Sequence, residues 1–258
     1  RWEKALSVSS DFVLQLYFDH MERSESAFIQ QGYDTFDIDF QHSAKIGARD
    51  HLVWGLGYRG VKADISSSVV GLVDFAVLRT DLWSGFIQDE IELVPERLRL
   101  TIGSKFEHND LTGFEYQPNL RLLWRIDDSR VLWGAISRAV RTPSIGEHHA
   151  TVSTLAIPPM TAPLNSPLPV LVVTQGDKGF ESEELLAYEL GFRLMPRPSV
   201  SIDLALFYNV YENLRSIQVE TPALADAGTY MELPNVFMNE ASGEVHGVEL
   251  SIDWLIRS

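Results

Sequence analysis

The chain has 258 residues, 45% of them hydrophobic and 22% charged, with a formal net charge of -15 and no cysteine. That length suits one large all-β domain or two ordinary ones; the negative charge opposes nucleic-acid binding by repelling phosphate, and the lack of thiols rules out a disulfide framework or a thiolate metal site. Mean hydropathy is near zero and no run of about 18 apolar residues occurs, which excludes a membrane-spanning helix but not a spanning β-strand, whose alternation dilutes its hydropathy.

No signal peptide precedes Arg1 and Trp2 already sits in strand-like sequence, so the chain reads as a piece of a longer protein. Residues 2–8 and 12–20 form a first hairpin, with Phe12, Leu14, Leu16 and Phe18 alternating against Val13, Gln15, Tyr17 and Asp19. After a polar loop over residues 23–32, Phe36, Ile38 and Phe40 alternate with Asp37, Asp39 and Gln41, the clearest amphipathic strand in the chain. It turns at residues 47–50 and returns over 51–61, and a longer loop runs from about 63 to 80 through the serines 66–68. Strands at 86–93 and 98–108 follow, joined by Pro95, Glu96 and Arg97. In the second of them Leu98, Leu100, Ile102 and Phe106 oppose Arg99, Thr101, Lys105 and Glu107. A turn at 109–113 leads to a strand over 114–126, and Asp127, Asp128 and Ser129 make the next turn.

Residues 131–144, VLWGAISRAVRTPS, combine a strand with an abrupt stop, because Pro143 donates no ladder hydrogen bond and restricts Thr142 before it. The roughly 40 residues beyond carry Pro158, Pro159, Pro163, Pro167 and Pro169, which predicts a long irregular loop of a kind uncommon in soluble domains. Strands over 184–195, 200–211 and 245–255 complete the chain. About eleven strands are expected, with short and long connections alternating strictly, the pattern of an antiparallel transmembrane β-barrel with short periplasmic turns and long outer loops. On that orientation Trp54, Trp124, Trp133 and Trp254 fall at the periplasmic rim and Tyr58, Tyr116, Tyr188 and Tyr208 toward the outer rim, as two aromatic girdles.

Three motifs have a plain structural reading beside a chemical one. Gly55-Leu56-Gly57-Tyr58-Arg59-Gly60 matches a dinucleotide-binding pattern, yet it lies inside an alternating strand with no helix opening at its end, so small lumen-facing residues are the better reading. Glu147, His148 and His149 could ligate a metal, but adjacent histidines cannot face one ion from one regular element, which favours a surface-loop role. The acid pairs Asp89-Glu90 and Glu183-Glu184 lack a cleft that would select them as general acid and base. No catalytic, cofactor or metal site is expected, and the chain is not read as an enzyme.

VLWGAISRAVRTPS resembles a signature of the TonB-dependent outer-membrane receptors. So do YDTFDIDFQH, HLVWGLGYR, FIQDEIELVPERLRLTIGSKFEHNDLTGFEYQPNLRLLW, ESEELLAYELGFR and NEASGEVHGVELSIDW, which together reach from Phe36 to Trp254. The resemblance implies that residues 1–258 are part of a single barrel domain of about 22 strands, set in the lipid of a Gram-negative outer membrane. The plug, the early strands and the last strand would be missing. It implies energy-dependent uptake of a scarce large ligand, a ferric siderophore, another iron chelate or cobalamin. Energy would come from the TonB complex through the N-terminal plug. A passive porin and a soluble β-rich carbohydrate-binding protein or enzyme are the alternatives. Lumen-facing charges would then brace the transport path: Arg138, Arg141, Glu189, Arg193, Glu115, Arg121 and Glu249, with Asp37, Asp39, Arg59, Lys105, Glu107 and Asp203. Of these, Arg138, Arg141 and Glu189 flank the root of the long loop as one network. Within that loop Glu147, His148, His149, Asp177 and Lys178 are the ligand candidates, amid apolar Leu155, Ile157, Met160, Leu168 and Leu171.

Overall fold

In most strands even-numbered residues are apolar and odd-numbered ones polar, with the order reversed around Ile87 and Ile91, and such a chain satisfies its backbone by pairing each strand with its sequence neighbour. The computed structural model, which describes residues 1–25, 29–67, 71–73, 77–225 and 228–255, has this arrangement. Eleven wall strands follow one another: β1 (Trp2–Ser7), β2 (Ser10–Glu25), β3 (Ile29–Ile46), β4 (Asp50–Ser67), β6 (Val77–Val94), β7 (Leu98–Asn109), β8 (Gly113–Asp127), β9 (Arg130–Arg141), β12 (Glu183–Arg197), β13 (Val200–Val219) and β15 (Tyr230–Trp254). All neighbours in this wall are antiparallel and the sheet stays open.

Register sorts the two faces. Leu120, Ile136, Tyr188 and Tyr208 lie in one cross-strand row, and Trp124, Leu132, Phe192, Leu204 and Leu250 in another. These side chains make one continuous apolar face, much of it exposed. The opposite face carries ion pairs between adjacent strands, Arg59 to Asp37 at 2.8 Å and Arg193 to Asp203 at 2.6 Å, and Lys105 to Glu107 at 2.7 Å along β7. Glycines let aromatic rings lie flat on this polar face. A Cβ on Gly191 would come within 2.1 Å of the Trp133 ring, one on Gly55 within 2.4 Å of Phe86, and one on Gly247 within 2.6 Å of Phe207. The glycine motif at residues 55–60 therefore serves close packing across strands, with Gly55 and Gly57 on the polar face.

Several expectations are corrected. Trp133 belongs to the polar face, under Arg121 and over Gly191, so it leaves the girdle that Trp54, Trp124 and Trp254 retain on the apolar face. Connections do not alternate strictly, because residues 110–112 at the loop end form a tight turn in which Asn109 Oδ1 accepts from the amides of Leu111 and Thr112. The expected loops at 23–32 and 63–80 are largely continuations of β2, β3, β4 and β6, with β5 (Gly71–Val73) between the last two; residues 26–28, 68–70 and 74–76 lie outside the described residues. Strands of 16 to 18 residues exceed the roughly 9 to 11 that cross a bilayer, so they rise well beyond it.

The segment expected to be irregular beyond Arg141 is folded. It holds a short helix α1 (Ile145–His149), β10 (Ala150–Ile157) and β11 (Val170–Gln175); β14 (Ala223–Ala225) is a further short strand against β15. β11 pairs with β10 and runs parallel to the upper part of β15, from Val170 opposite Met231 to Gln175 opposite Val236. β10 in turn pairs with β5, which joins β4 to β6 in sequence. A strap of sheet thus leads from β15 back to the opposite part of the wall. The buried hydrophobic residues among those described, Ala63, Ile65, Val170, Val173 and Phe180, all lie at this end.

The faces are testable by substitution. Leu204 sits midway between the level of Trp254, opposite Val200, and that of Tyr208. Leu204→Arg is expected to lower barrel stability by about 2–4 kcal/mol in lipid, and Ser201→Arg on the polar face by clearly less. Unfolding titrations in lipid vesicles measure both, and equal losses would refute the facing.

Candidate functional site

Where β9 ends, Ser144 caps α1 through a reciprocal capping box: its hydroxyl accepts from the Glu147 amide at 3.2 Å while the Glu147 carboxylate accepts from the Ser144 amide at 2.8 Å. That exchange turns the Glu147 side chain back toward β9, where it is 6% exposed. Arg141 grips it with two hydrogen bonds, Nη1 to Oε2 at 3.1 Å and Nη2 to Oε1 at 3.0 Å. The same guanidinium donates from Nε and Nη2 to Glu183 at 2.7 and 2.8 Å. Arg215 of β13 completes the cluster, with Nη1 3.2 Å from Glu147 Oε1 and its backbone amide 3.0 Å from Glu183 Oε1. Two cations and two anions thus tie three wall strands and the helix together, and sharing of this kind offsets the cost of burying Glu147.

Electrostatics follow from this geometry. Burial alone would push the Glu147 carboxyl up, but the Arg141 guanidinium and the Ser144 amide and hydroxyl outweigh it and hold the group at about 2. Arg141 likewise keeps Glu183 below its ordinary value, and both glutamates raise Arg141.

Around this core the loop root is sewn down. His148 is buried, with Nε2 2.7 Å from the Phe180 carbonyl, and Phe180 meets Phe237 edge-on at 6.4 Å. Arg215 lies over the Phe237 ring at 5.6 Å. The Asn239 carboxamide accepts from the Glu181 amide at 2.7 Å and donates to the Glu181 and Asn213 carbonyls at 3.1 and 2.8 Å. Glu115, also buried, accepts from Ser182 Oγ at 2.6 Å.

The other predicted residues distribute as follows. Asp177 is part of the root: its amide donates to the Glu147 carbonyl at 2.9 Å and its carboxylate caps Gly179 at 2.9 Å, while Lys178 beside it is exposed and His149 half-buried. Arg121 stacks on Trp133 at 5.7 Å, and Arg193 pairs with Asp203, both on the polar face. Glu189 lies deep in the wall opposite Ala135 and Phe207, well below the cluster, and Glu249 faces Ala205 lower still. Arg138 was expected on the polar face and is not there. It shares the apolar face with Ile136 and Leu186, pairing with Glu184 at 2.8 Å and lying over the Tyr116 ring at 4.5 Å. The adjacent acids Glu183 and Glu184 therefore point to opposite faces, as do Asp89 and Glu90, and neither makes a catalytic pair. Arg215, Ser182 and Asn239 are not among the sequence-derived candidates, and Glu183 is there only as half of an acid pair, because the roles of all four depend on strands distant in sequence. The local signal that finds Ser144 and Glu147 is the S-x-x-E spacing of a capping box.

A paired sheet with one apolar face, one charged face, aromatic bands and its elaborations at one end defines a membrane β-barrel wall. A family profile described as "TonB dependent receptor-like, beta-barrel" matches residues 4–258, and the chain belongs to that family of outer-membrane proteins. It is similar in fold to the siderophore receptor PirA from Pseudomonas aeruginosa, at 18% identity and a TM-score of 0.72 over 96% of this chain and 44% of that one. It is also similar to the Serratia marcescens hemophore receptor HasR, at 15% identity and a TM-score of 0.74 over 95% and 43%. An iron-regulated outer membrane virulence protein of Vibrio cholerae is 34% identical over 65 residues, which are 25% of this chain and 10% of that protein. The chain spans less than half the length of these solved receptors.

The cluster has a defined acid response. Because Glu147 titrates near 2 when folded, against an ordinary value of 4.5, its contribution to holding the loop root is complete above about pH 4.5 and is lost as pH falls toward 2; Glu183 shifts the same way. Limited proteolysis of residues 142–182 is expected to accelerate over that window while the wall stays protected. Glu147→Gln should already show the accelerated rate at pH 7, and an unchanged rate in that variant would remove Glu147 from the role.

Proposed function

We propose that the protein carrying this segment is an outer-membrane receptor that takes up an iron chelate by an energy-dependent route. Residues 1–258 are then part of one barrel domain, and the plug and the contact with the TonB complex lie in the remainder of the protein. Family membership supports the receptor class. The siderophore and hemophore receptors that share the fold and the iron-regulated relative support an iron-bearing cargo.

The observation that carries most weight is the buried carboxylate of Glu147 between two arginines. A pore that merely admits solutes has no need to dock a 41-residue outer segment, residues 142–182, on three strands at once. A receptor needs a preorganised outer surface, since ordering a loop at the moment of binding lowers affinity. In this reading Arg141, Glu147, Asp177 and His148 hold the surface in place, while Lys178 and the exposed apolar Leu155 and Met160 are open to cargo. His148 Nε2 meets the Phe180 carbonyl, which fixes its ring within the loop root.

The test uses the full-length protein in iron-starved cells supplied with ⁵⁵Fe bound to catecholate or hydroxamate chelates, or with hemin. Uptake of at least one of these at limiting concentration is expected, and it should vanish in cells lacking the TonB complex. Removing residues 151–177 should also abolish it while the barrel still assembles, read by heat-modifiability, because the wall ladders do not depend on β10 and β11. Uptake that continues without the TonB complex would instead establish a passive porin. Undiminished uptake by the folded deletion variant would move the binding surface to other loops.

A further inference from the structure

The β8–β9 ladder runs only from Asp127 opposite Arg130 up to Asn119 opposite Ser137. Pro118 is the next residue of β8, and it has no amide to continue the ladder. Above it β8 keeps its partner β7 and β9 keeps β12, but the two are held to each other by side chains alone. Arg138 donates from Nη1 to the Tyr116 carbonyl and covers the Tyr116 ring, and higher up Glu115 of β8 takes the hydroxyl of Ser182, the residue before β12. The wall therefore has a seam that opens on its apolar face.

At the foot of the seam lies a depression of about 720 Å³. Small Ser104 and Pro118 form its floor, and Ile87, Ile102, Leu120, Ile136 and Leu186 stand around it. Arg138, opposite Leu186, closes its upper end two residues beyond the row in which Tyr188 stacks on Tyr208. Asp89 lines its lower end, with an Oδ1 that has no hydrogen-bond partner among the described residues.

We infer that this depression is a lipid site, holding one acyl chain of a membrane lipid whose ester or amide carbonyl accepts a hydrogen bond from Arg138. The apolar face of an outer-membrane barrel meets lipid along its whole circumference, so the occupant comes from the bilayer. The floor is two strands wide, about 10 Å at a strand spacing of 4.7–4.9 Å; a helix, about 10–12 Å across, cannot enter between the flanking side chains. Arg138 has five N–H donors, of which Nε and Nη2 engage Glu184 and Nη1 the Tyr116 carbonyl. Two remain, on a guanidinium already neutralised by Glu184. That selects an occupant with an uncharged acceptor at headgroup depth, which an acyl ester or amide supplies and a bare hydrocarbon does not.

The full-length protein, extracted from outer membranes in mild detergent, can be examined by native mass spectrometry with ejection and identification of bound lipid. The wild type is expected to retain one lipid per barrel. Ser104→Phe fills the floor and should lower retention about tenfold or more, the equivalent of roughly 1.4 kcal/mol; Arg138→Gln should lower it at least severalfold. Leu250→Phe, elsewhere on the same face, should leave it unchanged. Heat-modifiability confirms that each barrel is folded, and Ser104→Phe keeps the test decisive if Arg138→Gln opens the seam. Equal retention in wild type and Ser104→Phe, or a second copy of the protein in place of lipid, would overturn the inference.

Discussion

Hydrocarbon offers no hydrogen-bond partner, so every amide and carbonyl that crosses it must be satisfied within the protein. Nearly all of the structure follows from that constraint. Strands pair with their sequence neighbours in antiparallel register, and side chains sort by parity into a lipid face and a polar face. The one interruption in the central wall falls at Pro118, near the outer interface, where carbonyls can meet a guanidinium or water. A proline several residues lower would have left a donor gap in the middle of the membrane.

Beyond the bilayer the constraint relaxes, and a different economy takes over. There the chain buries apolar groups such as Val170 and Phe180 and encloses charge, as at Glu147. The transmembrane wall has no dry interior of its own, since one face meets lipid and the other the lumen. Compactness in the ordinary sense exists only at the loop end, where the long segment folds on extended strands. The Glu147 cluster is the joint between the two regimes: Arg141 and Glu183 are the last paired residues of β9 and β12, and Ser144 opens the loop.

Parity explains what could be read from the sequence. Runs such as Phe36 to Gln41 and Leu98 to Glu107 state their facing residue by residue, and the eleven wall strands are recoverable from them. Arg138 and Trp133 run against any rule that polarity alone sets facing. Arg138 is polar but sits in the apolar series at the interface, where a stacked tyrosine and a glutamate accept it; Trp133 is apolar but sits in the polar series, where Gly191 makes room. Strands extend further than the lipid-face pattern because the alternation changes face beyond the bilayer: in residues 62–66 the odd-numbered Ala63 and Ile65 are the apolar, buried ones, between polar Lys62, Asp64 and Ser66. Arg215 and Asn239 were invisible for a simpler reason. Their partners lie 68 and 58 residues away, and no local pattern encodes such a distance.

The strap formed by β11, β10 and β5 gives the open wall a property that no single strand has. A curved sheet fixed only along its ladders can flatten or tighten by small changes of twist spread over many strands. The strap joins β15 to the chain between β4 and β6, as a tie rod joins the feet of an arch, and so converts spreading of the rim into tension along the strap. Six backbone pairings fasten it at β15 and three at β5. The rim's curvature at the loop end is therefore set by a span of folded loop as much as by the wall itself, and the lighter fastening is where that curvature yields first.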